Sequence, residues 1–186
     1  MAGSLIKVDE FTVSSAVASV TLGGGSSGSS GLNASIDSTY DVYMVTYSNV
    51  GTSTDGRNVS VRVTKGGSPD ATANYDYAYK VLNASSSFSN AGFTNEDEWT
   101  YLFIDNVGTG TSETASGTSY LFNFANASEY SFITAEMVEV NLTPHTKGNM
   151  GGGVHTVASA SDGLYFFDDA GGNIASGRFV LYGLKK

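Results

Sequence analysis

The chain has 186 residues and no cysteine, with 9 Lys and Arg set against 18 Asp and Glu for a formal charge of −9. The length suits one domain with a full core, and the missing thiols exclude disulfides, thiolate metal sites and a cysteine nucleophile. The acidic balance offers no basic stripe to neutralise phosphates, so nucleic acid and anionic membranes are not expected as partners. No stretch of about 18 apolar residues is present, and Met1 to Lys7 lacks the apolar core of a signal peptide, so the expectation is a protein made in a cytoplasm that crosses no bilayer.

Eleven Tyr and ten Phe are spread among 23 Gly with only two Pro, a composition of many turns around an aromatic-rich core. The dominant period is two. In chain order, strands are predicted from Leu5 to Val13, Val17 to Leu22 and Tyr40 to Tyr47. Val59, Val61 and Val63 then alternate with polar neighbours, one face buried and the other wet. A strand follows from Tyr75 to Leu82. The next, Glu98 to Ile104, carries Trp99, Tyr101 and Phe103 at every second position with a second face only partly polar, which suits a strand enclosed on both sides. Further strands run from Tyr120 to Phe124, Tyr130 to Asn141, Val154 to Ala158, Leu164 to Phe167 and Phe179 to Tyr182. Asp55-Gly56, Gly66-Gly67-Ser68-Pro69-Asp70, Gly108-Thr109-Gly110, Asp162-Gly163 and Gly171-Gly172-Asn173 punctuate them as turns. Two segments read as irregular: a flexible Gly/Ser loop from Gly23 to Gly31, and an exposed loop from Thr143 to Gly153. The expected architecture is one all-β domain over residues 1–186, an antiparallel sandwich of about ten short strands.

Candidate chemistry is sparse. Gly24-Gly25-Ser26-Ser27-Gly28 has the G-x-S-x-G form, but no helix follows it, so it reads as loop. His145 and His155 are the only imidazoles and lack metal-ligand spacing. Asp9-Glu10, Glu96-Asp97-Glu98 and Asp168-Asp169 lack the register of a calcium loop and read as solvated turn acids. Glu136 and Glu139 are not singled out as a hydrolytic pair. The five N-x-[ST] sequences, at Asn33, Asn58, Asn83, Asn126 and Asn141, read as chance products of composition. No catalytic residue, metal or cofactor is therefore assigned. Trp99, Tyr43, Tyr47, Tyr77, Tyr79 and Tyr101 remain as candidates for contact with a sugar or a neighbouring subunit.

The C-terminal GLYFF at 163–167 and GNIASGRFVLYGLK at 172–185, with VSSAVASV at 13–20, IDSTYDVY at 36–43 and GTSYLFN at 117–123, make a pattern that runs nearly end to end. It resembles small virion proteins of tailed bacteriophages. The resemblance implies a jelly-roll-like sandwich on the particle surface, as capsid decoration (a cement protein) or as part of a tail fibre or tip. It implies partners among the major capsid or tail proteins and a homo-oligomer, with three-fold packing the form expected on a capsid. The alternative implied is a receptor- or glycan-binding module at a fibre tip. A first strand expected to start near Met1 predicts no anchoring domain or shaft and favours a stand-alone subunit docked on a larger assembly; with no catalytic motif in the chain, it is not expected to be an enzyme.

Overall fold

A computed structural model describes residues 4–25, 35–85 and 88–185. They form thirteen strands: β1 (Ser4–Val13), β2 (Ser19–Gly23), β3 (Val42–Thr52), β4 (Arg57–Lys65), β5 (Ser68–Pro69), β6 (Tyr75–Asn83), β7 (Ser89–Glu96), β8 (Trp99–Val107), β9 (Ala115–Phe122), β10 (Ser131–Val140), β11 (Thr146–His155), β12 (Gly163–Asp168) and β13 (Ile174–Lys185). Two antiparallel sheets pack face to face as the expected sandwich. The large sheet runs β1-β13-β3-β9-β10-β11-β6-β7 and the small one β2-β12-β4-β5, with β8 also paired to β4.

Alternation explains the packing. Val59, Val61 and Val63 of β4 and Leu164 and Phe166 of β12 point inward from the small sheet. Val45 and Tyr47 of β3, Leu121 of β9, Ile133 of β10 and Phe179 of β13 meet them from the large sheet. Phe166 links the layers, its ring centroid 5.6 Å from Phe103 and 5.0 Å from Phe179. β8 is enclosed as expected: Trp99, Leu102, Phe103 and Ile104 are all buried. Such a run can hold apolar residues at successive positions because both of its faces are covered from Leu102 to Ile104, while Thr100 and Tyr101 stay partly exposed.

The segment expected as an exposed loop from Thr143 to Gly153 is strand from Thr146 onward, paired on both sides by β10 and β6. Its glycines are required by what lies opposite. A methyl group at Gly153 would sit 2.6 Å from Trp99 Nε1, and one at Gly151 would overlap the Ala78 carbonyl oxygen. The strand accordingly ends at His155 and does not continue to Ala158. β7 was not expected at all, and the strand predicted from Tyr120 begins at Ala115. Most of the Gly/Ser loop lies outside the described residues; of its start, Gly23 closes β2, and Gly24 and Gly25 turn with positive φ. At the far edge of the large sheet, β1 pairs with β13 in a register that sets Ser4 opposite Lys185.

Candidate functional site: the outer face of the large sheet

An antiparallel sheet with one face on the core normally turns a polar face to water. Here the outward set of the large sheet is apolar in its middle. Leu82 of β6, Tyr120 of β9, Phe132 and Val138 of β10 and Met150 of β11 are exposed by 38, 40, 44, 50 and 43%. The pairing places all five on one face, because each lies in register with outward neighbours while Ile133, Ala135 and Met137 between them point inward.

The face is organised in rows that cross the strands. One row runs Tyr120, Thr134, Gly152, Ala78, Gly92 over β9, β10, β11, β6 and β7. Three of these five residues are glycine or alanine, so the row is a trough floor. Phe132 and Val154 stand along one side. Glu136, Met150 and Lys80 stand along the other, on β10, β11 and β6. The part of the trough between Phe132 and Gly92 encloses about 580 Å³, and the part around Tyr120 and Met150 about 620 Å³. One positive and one negative side chain flank Met150, so this face carries little of the −9 net charge. Asp76, at the end of the Phe132 row, is already engaged: its Oδ1 accepts the Asn95 N–H at 2.8 Å.

The sequence candidates lie elsewhere. Trp99, Tyr43, Tyr47 and Tyr77 are buried in the core, where no sugar or subunit reaches them. Tyr47 donates to the Phe103 carbonyl at 3.1 Å, and Tyr43 donates to the Asp37 carbonyl at 2.8 Å. The Trp99 ring meets Tyr75 edge-on at 5.1 Å. Tyr79 is half-buried, beside Phe93 and Tyr101, with the three ring centroids 5.6 to 6.4 Å apart. Burial pushes the Tyr79 hydroxyl up to about 12.

Several acids read as solvated are in fact buried. Asp9, Glu98 and Asp168 are inside, whereas Asp97 and Asp169 are exposed. Asp9 Oδ2 accepts the Gly23 N–H at 2.8 Å and so ties β1 to β2. Glu136 and Glu139 lie on opposite faces of β10, which removes them as a catalytic pair. Glu139 belongs to a buried polar cluster. Its Oε2 accepts the Asp105 N–H at 3.1 Å, Lys147 pairs with the Asp105 carboxylate, and Asn149 Nδ2 donates to Asp105 Oδ2 at 3.2 Å. Burial pushes the Glu139 carboxyl up to about 8, against the pull of the Asp105 N–H and the Lys147 charge. His145 is exposed. His155 is fully buried, its Nε2 lying 3.3 Å from Asp70 Oδ2 but out of hydrogen-bonding alignment, and burial holds its pKa below the usual imidazole range. Among the described residues no group of three or more His, Asp or Glu could hold a metal ion.

No protein-family model matches the chain, and no curated protein matches it in sequence.

Sequence reasoning passed over the outer face, although a signal was present. In Ser131 to Val140 both parities carry large apolar residues: Phe132 and Val138 on one, Ile133 and Met137 on the other. A strand of that kind presents an apolar face on both sides.

Proposed function

We propose that this protein is a virion structural subunit of a tailed bacteriophage, a surface β-sandwich that decorates the capsid or attaches to the tail through protein–protein contacts. The observation that carries the reading is the apolar outer face of the large sheet. Five large apolar side chains gathered on one face are a contact surface, because a face that met only water would be polar at those positions. The end-to-end sequence pattern supplies the phage context. The protein works by adhesion, without catalytic residues or cofactor, and resides in the particle after synthesis in the host cytoplasm.

Quantitative mass spectrometry of washed particles tests the reading. Hundreds of copies per particle mean decoration, and a few to a few dozen mean a tail position. Absence from the particle overturns the proposal. The second reading, a glycan-binding module at a fibre tip, draws on the half-exposed Tyr79 with Phe93 and Tyr101, since sugars stack on such rings. It requires glycan-array binding that Tyr79→Ala abolishes.

A further inference from the structure

We infer that the outer face of the large sheet is closed by a second copy of this chain, across a two-fold axis that lies in the interface and runs along β11. This rests on the adhesion reading and names the first partner for that surface.

The argument is in the register. About an axis along β11, each residue on β10 faces the partner's residue on β6 in the same row, and each residue on β9 faces the partner's residue on β7. Glu136 then faces Lys80 of the second copy, and Lys80 faces Glu136, because the two flank Met150 in one row. Val138 faces Leu82, since both are level with Gly148. Tyr120 faces Gly92, the opposite end of the trough floor, so a large ring meets an empty position. In three rows charge meets opposite charge, apolar meets apolar and bulk meets a gap, each twice; in the fourth Phe132 faces Asp76, whose Oδ1 already accepts the Asn95 N–H. A two-fold interface requires this self-complementarity of one patch.

The occupant is set by charge and by size. A molecule with a net charge of −9 repels its copies over most of its surface. On this face Lys80 offsets Glu136 within a copy and pairs with it between copies, which leaves only the Asp76 carboxylate uncompensated. Strands about 4.8 Å apart make the span from β9 to β7 about 19 Å wide and, over ten residues, about 30 Å long. That is roughly 600 Å², the lower end of the ~600–1,000 Å² per partner of stable interfaces.

Sedimentation velocity, with light scattering after gel filtration, tests the inference on the full chain up to about 100 µM, a range that captures micromolar association. The expected mass is twice 19.3 kDa. Lys80→Glu and Glu136→Lys each set like charges against one another and are expected to weaken the dimer about tenfold or more. The double variant restores opposite charges and recovers the wild-type mass. Both positions are exposed, so circular dichroism of the single variants is expected to match wild type. A monomer throughout, a trimer, or a double variant no better than its parents overturns the inference. A monomer that is nevertheless abundant in washed particles sinks this inference alone. A dimer absent from particles sinks the phage assignment and leaves the interface standing.

Discussion

Glu139→Gln isolates the energetic consequence of a carboxyl placed inside the sandwich. Glu139 is 1% exposed and faces Asp105 and Lys147, with its ionisation moved from 4.5 to about 8 mainly by burial. Well below pH 4.5 the acid is protonated in both folded and unfolded chains, and the native state is at full stability with respect to this group. As pH rises, the unfolded chain releases the proton first, so stability falls by up to ~1.4 kcal/mol per pH unit. The loss is complete above about pH 8 and reaches up to ~5 kcal/mol. Glutamine keeps an oxygen for the Asp105 N–H and cannot ionise. The variant is therefore expected to match wild type near pH 3.5 and to exceed it by several kcal/mol at pH 9, within that ~5 kcal/mol ceiling. Urea unfolding of both proteins at unit steps between those limits reads the difference directly. Titrations elsewhere, such as that of His155, cancel in the comparison. If the gap between the two proteins stays constant with pH, the burial argument for Glu139 is refuted.

Gly151→Ala is expected to destabilise the fold by about 2 kcal/mol or more, lowering Tm by roughly 5 °C, because the methyl meets the Ala78 backbone and not a movable side chain. Gly152→Ala is the control: its methyl points outward with only the Ile133 carbonyl at 3.2 Å, and calorimetry is expected to show less than about half that loss. Trp99 is the sole tryptophan and fully buried, so native fluorescence is expected to be blue-shifted and resistant to acrylamide, with both properties lost on unfolding. A quenchable native tryptophan would show that Trp99 of β8 does not face the core of the sandwich.

The strands that sequence revealed are those whose own residues carry the burial pattern. Val59, Val61 and Val63 need no partner to announce an inward face, and the doubled apolar pattern of Trp99 to Ile104 announced enclosure. β11 was illegible for the opposite reason. Gly151 and Gly153 supply no apolar signal, and the need for them is set by Ala78 and Trp99, far away in the chain. β7, Ser-Asn-Ala-Gly-Phe-Thr-Asn-Glu, is an edge strand paired only with β6 and gives the core little besides Phe93. The buried acids misled because Asp9 and Asp168 sit in doublets that look like turn acids. The Gly23 N–H that receives Asp9 belongs to another strand. The aromatic candidates were chosen by residue type, and type does not reveal which side of a sheet a ring faces. Tyr120 and Phe132, exposed rings of the outer face, became a surface only once β10 was set between β9 and β11.

The meeting of Ser4 with Lys185 across neighbouring strands has a practical consequence. Ser4 and Lys185 are neighbours, so a linker of a few residues could join them and let the chain be opened at a turn such as Ser53 to Gly56 without redrawing either layer. Cargo attached at Ser4 or Lys185 would emerge from one corner, on the opposite margin of the large layer from the margin that carries Gly92. A particle displaying it there would keep the Phe132 and Met150 side unobstructed.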